Sequence, residues 1–282
     1  MVNEIEIIEN AFTNIEKINS NSDKEILDAI NNVIEKIDNG SLRVADKNQN
    51  DWQVNEYAKK AILLYFRIKD MKLISGGPDQ SNWWDKIDPK FNSWDENKFE
   101  EAGFRAVPGS VVRYGSFIGK GCVLMPSFIN IGAYVDDSTM VDTWATIGSC
   151  AQTGKNCHIS GGAGIGGVLE PLQASPVIIE DNAFIGSRCI IVEGARVGKE
   201  AVLGANVVIT KSTKIIDVTH SKPVEYKGYV PERKVVIPGT YKKSFKSGDY
   251  QVPCALIIGE RKESTDLKTS LNQVLREHNL TV

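Results

Sequence analysis

A six-residue repeat of apolar positions runs through the middle third of the chain. Bulky apolar residues recur every six positions from Val111 to Ile165, and small residues recur four positions after them. After a break, the same two series of positions return between Ile179 and Ile209; they are called here the bulky file and the small file. Neither the 3.6-residue period of a helix nor the two-residue period of an ordinary strand fits this spacing. The pattern is typical of a hexapeptide-repeat parallel β-helix, in which each hexad forms one side of a triangular coil.

The repeat also predicts which side chains fill the coil. We expect the bulky file to point inward and the small file to lie where the chain turns and space is short. The two files begin with Val111, Phe117, Val123 and Ile129, and with Gly115, Gly121, Ser127 and Ala133. With three hexads per turn, residues 111–213 predict roughly five to six coils stacked about 4.8 Å apart. Hexads of this kind usually wind left-handed, an exception to the right-handed crossover rule.

The break in the repeat, residues 166–178, displaces the register by two residues relative to a multiple of six. Loops that leave a solenoid usually project from one face and often carry function. A tolerated surface insertion explains the same sequence, so both interpretations stay open.

The N-terminal segment, residues 1–104, has the 3.6-residue apolar spacing of helices. We expect a first helix through Ile5–Ile15, a second from a Ser22/Glu25 capping box to Gly40, and a third within 53–70. Residues 82–91 are expected to form a loop, and Ser93 with Glu96 predicts the start of a short helix that ends before Gly103. This segment is predicted to be a helical domain that covers the first coil, because an exposed coil end would promote aggregation.

The C-terminal segment, residues 214–282, lacks the hexads. Residues 223–238 and 250–259 alternate like strands, and 266–277 predicts a final helix. The predicted fold is therefore mainly β: an N-terminal helical domain (1–104), a left-handed parallel β-helix (105–213, with the 166–178 insertion), and a small C-terminal sheet plus helix (214–282).

Composition narrows the function. The formal charge is −3, from 33 Lys and Arg against 36 Asp and Glu, which argues against a nucleic-acid-coating protein. No run approaches the roughly 20 apolar residues that cross a bilayer, and the acidic start is unlike a signal peptide. Five cysteines without a CxxC spacing suit a reducing compartment. We therefore expect a cytoplasmic protein without nucleic-acid or membrane partners.

Metal and nucleophile chemistry has little support in the sequence. His158 is the one histidine within the repeats, and a zinc site on a β-helix needs three imidazoles. His158 is expected to face solvent, although it could act as a base in an acyltransferase. Cys157 and Cys189 fall in the small file and are expected to be packing residues. The run at 161–167, GGAGIGG, lacks the order of a phosphate-binding loop and is expected to serve a coil corner.

Two charged residues are candidates for chemistry, each with a simpler explanation. Asp142 follows the inward Val141 and lies beside Trp144, so its carboxylate could act as a base, although the spacing alone favours an exposed turn aspartate. Arg105, just before the first coil, could hold a carboxylate in a fork, but such an arginine is more often an ordinary surface residue.

Longer motifs carry a family resemblance. Residues 125–173, with VDTWATIGSCAQ, together with GFRAVPG (103–109), IIEDNAFIGSR (178–188) and LRVA (42–45), resemble the tetrahydrodipicolinate N-succinyltransferases. The resemblance extends over nearly the whole chain. It implies a homotrimer of left-handed β-helices with active sites between subunits, in which a succinyl group passes from succinyl-CoA to tetrahydrodipicolinate.

The resemblance also implies roles for particular residues. Arg105 matches the substrate-binding arginine of the family and Asp142 its active-site aspartate, with Trp144 beside the substrate. Independently of the resemblance, Gly186 and Gly204, small positions on the later coils, are candidates for contacting CoA. Succinyl-CoA enters as a co-substrate, and neither a tightly bound cofactor nor a metal is expected.

One position departs from the family. Some members carry a glutamate, proposed as a second catalytic acid, where this chain has Ile190, whose side chain cannot transfer protons. Glu193 lies on a different part of the hexad and does not inherit that role. Either Asp142 and water suffice, or the two-carboxylate mechanism does not apply to this chain.

Other functions remain open from the residues alone. A CoA-dependent acyltransferase with a different amine acceptor has the same repeats, and a preference for a neutral sugar amine would leave Arg105 without a purpose. A non-enzymatic β-helix scaffold would not respond to CoA, and zinc-dependent hydration would require bound zinc.

Overall fold

Helices dominate the first seventy residues of the computed structural model, which describes residues 4–49, 51–76 and 81–261. In chain order the elements of this segment are helix Glu4–Thr13 (α1), a 3-10 turn at Ile15–Lys17, helix Lys24–Asp38 (α2), strands Ala45–Lys47 (β1) and Trp52–Val54 (β2), and helix Glu56–Ile68 (α3). The three helices predicted from apolar spacing are confirmed. None of the helices in the described ranges has the length and apolarity needed to cross a bilayer.

The predicted capping box is wrong. Helix α2 is preceded by Asp23 in the N-cap position, and no side chain caps it. The hydroxyl of Ser22 instead accepts a hydrogen bond from the Asn19 N–H at 3.0 Å, in the turn before the helix. Serine can hydrogen-bond to nearby backbone outside a helix, and here the turn takes that bond.

A hairpin and a short helix follow. Strands Lys72–Ser75 (β3) and Asn82–Asp85 (β4) pair antiparallel, so the loop predicted for 82–91 is wrong at its start. Helix Glu96–Ala102 (α4) ends at Gly103, as predicted, where the backbone is left-handed with φ of 70°. Its N-cap is Asp95, whose carboxylate accepts from the Lys98 N–H at 2.9 Å, rather than Ser93.

Two-residue strands alternate with short corners through the rest of the repeat region. They are Arg105–Ala106 (β5), Val111–Val112 (β6), Phe117–Ile118 (β7), Val123–Leu124 (β8), Phe128–Ile129 (β9), Tyr134–Val135 (β10), Met140–Val141 (β11), Thr146–Ile147 (β12), Gln152–Thr153 (β13), His158–Ile159 (β14), Gly164–Ile165 (β15), Ile178–Ile179 (β16), Phe184–Ile185 (β17), Ile190–Ile191 (β18), Arg196–Val197 (β19), Val202–Leu203 (β20) and Val208–Ile209 (β21). The strands of the C-terminal segment are Lys214–Asp217 (β22), Val224–Lys227 (β23), Tyr229–Val230 (β24), Lys234–Phe245 (β25) and Gly248–Glu260 (β26).

Each short strand pairs in parallel with the strand three places before it, so the chain visits three sheets in turn and coils. The first wall is β6-β9-β12-β15-β18-β21, the second is β7-β10-β13-β16-β19-β24, and the third runs from β5 through β8, β11, β14, β17 and β20 to β25. Val135 pairs with Thr153, which sets a period of eighteen residues per turn. The predicted hexapeptide coil with parallel sheets is confirmed.

The inward register of the first turn differs from the prediction by one residue. Val112 and Leu124 are buried there, whereas Val111 is 40% exposed. Ile118 pairs with Val135, a step of seventeen residues. Both residues of each early strand are apolar, so hydrophobicity alone does not distinguish the inward position. From Ile129 onward the predicted bulky file is the buried one.

The small file also shifts in the first turn. Ser116 and Cys122, each two places before a buried strand residue, replace Gly115 and Gly121 in this file, and the predicted file holds from Ser127 onward. Gly115 and Gly121 have φ of 83° and 72°, so they serve the left-handed corners rather than the core.

The insertion at 166–178 is anchored to the N-terminal helices. Fourteen residues separate Ile165 from Ile179, where six separate Ile147 from Thr153 at the preceding corner. The ammonium of Lys59, a fully buried residue on α3, donates to the carbonyl of Ala174 in the insertion at 2.7 Å. The loop is therefore fixed against α3.

The N-terminal helices lie along the side of the coil. Their core includes Ile131 and Cys150, which belong to corners between the first and second walls. The hairpin β1–β2 crosses the second wall, where Trp52 and Lys47 both bond to a carboxylate oxygen of Glu180, at 3.0 and 3.1 Å. Helices α1, α2 and α3 therefore cover a wall, and within the segment predicted to cover the first coil only the part from Phe91 to Phe104 packs on its end.

Other elements close the two ends of the coil. Four aromatic residues meet at the first end, with ring centroids 5.1–6.4 Å apart: Phe91, Trp94, Phe99 and Phe104. Phe91 and Phe104 pack directly on the coil core. At the other end the core includes Ile215, Ala255 and Ile257 of β22 and β26. The predicted strands of the C-terminal segment are present, and the helix predicted at 266–277 lies outside the described residues. The division into three segments stays a prediction.

Truncating one inward side chain is expected to destabilise the whole coil. Ile159 is fully buried between Val141 and Ile185 of the neighbouring turns. We expect Ile159→Ala to lower the free energy of unfolding by about 2–4 kcal/mol, because the rigid neighbouring turns cannot collapse into the cavity. Urea unfolding at a fixed protein concentration measures this. Val218→Ala, at a residue that is 46% exposed, is the control, and equal midpoints for the two variants would contradict the packing account.

Candidate functional site

The corners between the third and first walls stack into an ordered row, named here the Asp142 corner. It consists of residues 142–145, 160–163, 186–189 and 204–207, which follow β11, β14, β17 and β20. Each of these four segments is called a rung here. The backbone of each rung is hydrogen-bonded to the next turn, as from the Asp142 N–H to the Ile159 carbonyl at 2.9 Å. Residues far apart in sequence are thereby held about 4.8 Å apart along the axis.

Asp142 begins the first rung of this corner and is half-buried. One carboxylate oxygen, Oδ1, accepts from the Thr143 N–H at 2.6 Å and from the Thr143 hydroxyl at 3.2 Å, which fixes the orientation of the carboxylate. The other oxygen, Oδ2, lies 4.0 Å from the position that a Cβ on Gly161 would occupy. Among the described residues no donor is bonded to Oδ2, so this oxygen can receive a proton or a hydrogen bond from a ligand.

Trp144 projects from the same rung. Its backbone is left-handed, with φ of 62°, and its indole side chain leaves the residue 77% exposed. An indole this exposed on a rigid corner is available to cover an apolar ligand surface. The structure thus brings Asp142 and Trp144 together on one corner.

Gly186 and Gly204 lie on the same file as Asp142, two and three rungs away. That corresponds to roughly 10 and 14 Å at the spacing between strands. Both glycines are buried within the chain, and a Cβ on Gly186 would lie 2.6 Å from the Leu203 carbonyl oxygen. Close packing of the next turn therefore accounts for glycine at 186, and the predicted CoA contact of both residues stays a prediction.

Arg105 lies on the adjoining third wall. Its strand β5 is separated from β11 only by β8, with Arg105 paired to Val123 and Val123 to Met140, so Arg105 is roughly 10 Å from Met140. Arg105 is exposed at the edge of a shallow depression of about 470 Å³. An exposed guanidinium beside a depression is placed to receive a carboxylate.

His158 lies on the third wall, where a neighbouring ring covers part of its side chain. It is half-buried, and its ring stacks on Phe184 with centroids 5.0 Å apart and planes 12° apart. The expectation of a solvent-facing histidine is corrected accordingly. Within the described ranges no three His, Cys, Asp or Glu side chains are grouped to hold a metal ion.

Ile190 points outward from the first wall and is 44% exposed. It pairs with Gly164 on one side and Val208 on the other, so an apolar side chain occupies this outward position. Glu193 lies at the next corner, between the first and second walls, and not at the Asp142 corner.

Sequence reasoning missed Arg188 as a component of the site. It occupies the third place in its rung, in line with Trp144, Gly162 and Asn206, and all four have positive φ. An alignment of successive turns across the 166–178 insertion would have shown this position, because it aligns Arg188 with Gly162 of the preceding turn.

A cavity of about 720 Å³ lies away from the Asp142 corner, beside the first two strands of the first wall. Its lining includes Trp83, Phe91 and Phe128, and an ion pair between Arg113 and Asp85 borders it. None of the site residues predicted from the sequence lines this cavity.

The five cysteines are buried and free. Burial raises the pKa of the Cys150, Cys157 and Cys189 thiols to about 12, and that of Cys122 to about 11. Because the thiolate is the nucleophile, these side chains are unreactive in the folded protein.

Alkylation tests this account of the cysteines. We expect the native protein to resist iodoacetamide at pH 8, and the urea-denatured chain to take up five labels, counted by intact mass. Rapid labelling of one cysteine in the native protein would show a reactive thiol and contradict the assignment to packing.

Comparisons with known proteins agree on one family. Residues 5–68 match a family described as tetrahydrodipicolinate N-succinyltransferase N-terminal, and residues 176–211 match the hexapeptide repeat of succinyl-transferase. Proteins named 2,3,4,5-tetrahydropyridine-2,6-dicarboxylate N-succinyltransferase are similar from Parvibaculum lavamentivorans (50% identity), Bradyrhizobium diazoefficiens (53%) and Cereibacter sphaeroides (53%). Each alignment covers 96% of this chain and 97% of the relative.

A solved structure also overlaps in part. A chain described as a 2,3,4,5-tetrahydropyridine-2-carboxylate N-succinyltransferase from Campylobacter jejuni matches with a TM-score of 0.47 at 14% identity, over 82% of this chain and 62% of that one. The family assignment rests on the sequence relatives.

Proposed function

The chain belongs to the 2,3,4,5-tetrahydropyridine-2,6-dicarboxylate N-succinyltransferase family, and from this premise we propose that it transfers the succinyl group of succinyl-CoA to tetrahydrodipicolinate. The acceptor nitrogen receives the acyl group, one water is consumed and the ring opens. The products are N-succinyl-2-amino-6-oxoheptanedioate and free CoA, in the diaminopimelate route to lysine. The observation that carries the proposal is the identity of about half of all residues across 96% of the chain.

Asp142 is proposed as the catalytic residue. Addition of water to the C=N bond of the acceptor gives an amine, and the nitrogen of this amine loses a proton as it attacks the thioester carbon, so a group must take up that proton. Oδ2 of Asp142 is available for this, while Thr143 holds Oδ1 in place. No covalent acyl-enzyme is needed, because bringing two bound substrates into contact is itself a large contribution to the rate.

Arg105 and Trp144 are proposed to position the acceptor. The acceptor carries two carboxylates, and a guanidinium fork binds a carboxylate with defined geometry. The exposed indole of Trp144 can pack against the carbon skeleton beside Asp142. Backbone N–H groups of the coil wall are proposed to stabilise the oxyanion of the tetrahedral intermediate.

We further propose a left-handed coil and an assembly of three copies, with each active site in the slot between neighbours. Exposed apolar side chains on the first wall support an interface: Val111, Ile190 and Val208 are 40–44% exposed. In this assembly CoA would lie along the coil wall past Gly186 and Gly204. Ile190 then contributes apolar surface, and Asp142 with water carries the proton transfers.

The proposed chemistry requires no tightly bound cofactor, because the thioester already activates the acyl carbon. The biosynthetic role and five free thiols support a cytoplasmic location.

Release of CoA tests the proposed function. The purified protein with succinyl-CoA and tetrahydrodipicolinate is expected to release one CoA per acylated acceptor, followed with a thiol reagent. No release from a folded trimer would defeat the proposal. Faster release with a neutral sugar amine would instead indicate a different acyltransferase.

Asp142→Asn is expected to fold and assemble normally yet lose most turnover, because the amide keeps the shape but cannot accept a proton. We expect kcat to fall on the order of 100-fold or more, as for other general bases. Single-turnover rates measure this, with circular dichroism and size-exclusion chromatography as controls. A rate near that of the wild type would remove Asp142 from the mechanism.

Arg105→Lys is expected to weaken acceptor binding while changing kcat little. An ammonium supplies the charge but not the two parallel N–H donors of the guanidinium fork. The KM for the acceptor should rise on the order of tenfold, and the KM for succinyl-CoA should not change. Unchanged acceptor saturation would refute the role given to Arg105.

A further inference from the structure

The proposed reaction brings three carboxylates together. Two belong to the acceptor and one ends the succinyl group, whereas Arg105 can bind only one of them in a fork. The inference below rests on the proposed function and identifies a second carboxylate-binding residue at the same site.

Arg188 and Asp142 flank two consecutive glycines of the rung between them. A Cβ on Gly161 would lie 4.0 Å from Oδ2 of Asp142, and a Cβ on Gly162 would lie 3.4 Å from Cγ of Arg188. The Cα atoms of these glycines are about 3.8 Å apart. The Arg188 backbone N–H donates to the Gly161 carbonyl at 3.1 Å, which fixes the rung. The side chains of Asp142 and Arg188, which carry opposite charges, therefore both border this short stretch of backbone.

The guanidinium of Arg188 has no hydrogen-bond or ion-pair partner among the described residues. Of the eight arginines in the described ranges, only Arg105 and Arg188 have no side-chain hydrogen bond or ion pair. The six that have one are Arg43, Arg67, Arg113, Arg196, Arg233 and Arg261. One of the two unpartnered arginines is already the proposed acceptor ligand, and the other is beside the proposed catalytic carboxylate.

The corner itself does not require an arginine. Trp144, Gly162 and Asn206 occupy the equivalent place on the other rungs with similar φ, so the backbone accepts very different side chains. A structural role as an ion-pair partner is also not seen, because Arg188 and Asp142 form no salt bridge within the part of the chain that the structure describes. The remaining explanation for an arginine at this position is chemical, because its guanidinium has no partner among the described residues and its side chain lies near the proposed catalytic carboxylate.

We propose that Arg188 binds a substrate carboxylate beside Asp142, through the two parallel N–H donors of its guanidinium. Carboxylates are the ligands that this geometry fits best. The terminal carboxylate of the succinyl group and the second carboxylate of the acceptor share this chemistry. Donor substitution distinguishes the two sources, because an acetyl group has no terminal carboxylate.

The test compares Arg188→Gln with Arg188→Lys and with Lys17→Gln. Lys17 is an exposed cation of the N-terminal segment, so its variant matches the loss of one charge away from the site. Steady-state rates are measured with succinyl-CoA and with acetyl-CoA, each over a range of acceptor concentrations. Thermal melting and size-exclusion chromatography establish that each variant is folded and assembled.

We expect Arg188→Gln to lower kcat/KM on the order of 10- to 100-fold, the range for losing a hydrogen bond to a charged group. If the succinyl carboxylate is the ligand, the loss occurs with succinyl-CoA and not with acetyl-CoA. If the acceptor carboxylate is the ligand, both donors lose equally and the KM for the acceptor rises. Arg188→Lys should recover part of the loss, a recovery that a purely structural role would not give.

Equal kinetics for Arg188→Gln and Lys17→Gln with both donors would overturn the proposal. If Arg188→Gln does not fold, Arg188→Lys decides by the same comparison, since wild-type kinetics in that variant would show that no fork is used. An inactive but folded wild type would instead defeat the proposed function, which separates the two failures.

Discussion

Parallel hydrogen-bonded ladders along the three walls hold every turn of the coil in register with the next, and the chemistry of the corner depends on that register. Each short strand contributes one bulky inward side chain, such as Ile159 between Val141 and Ile185. Side chains in a packed interior cannot shift without cost, so the corners stack with little freedom. Asp142 and Arg188, 46 residues apart in sequence, are thereby placed on either side of Gly161 and Gly162.

Charged groups on the second wall and at the Asp142 corner differ in whether the protein supplies their hydrogen-bond and ion-pair partners. On the second wall, Glu180 receives hydrogen bonds from Trp52 and Lys47 and an ion pair from Arg196. Burial alone would raise the pKa of Glu180, but these partners outweigh it and lower the pKa. Glu180 therefore finds its partners within the described part of the chain. At the Asp142 corner, Oδ2 of Asp142 and the guanidinium of Arg188 have no such partners among the described residues, and substrates can supply them.

Much of this arrangement could be predicted from the sequence. The hexad period predicted the three-sided coil and longer motifs indicated the family, while the role of Asp142 stays a proposal. The register of the first turn could not be predicted, because Val111 and Val112 are both apolar and either could point inward. Strand β4 was missed because its sequence, NWWD, lacks the alternation of apolar and polar residues that predicts a strand. Arg188 was missed because the 166–178 insertion interrupts the alignment of successive turns.

A crystal structure with CoA and an unreactive dicarboxylate analogue of the acceptor tests the central claim most directly. The account predicts the CoA sulfur and the acceptor nitrogen together at the Asp142 corner, with the nitrogen within hydrogen-bond distance of Oδ2. An acceptor bound elsewhere, such as in the cavity lined by Trp83 and Phe128, would contradict it.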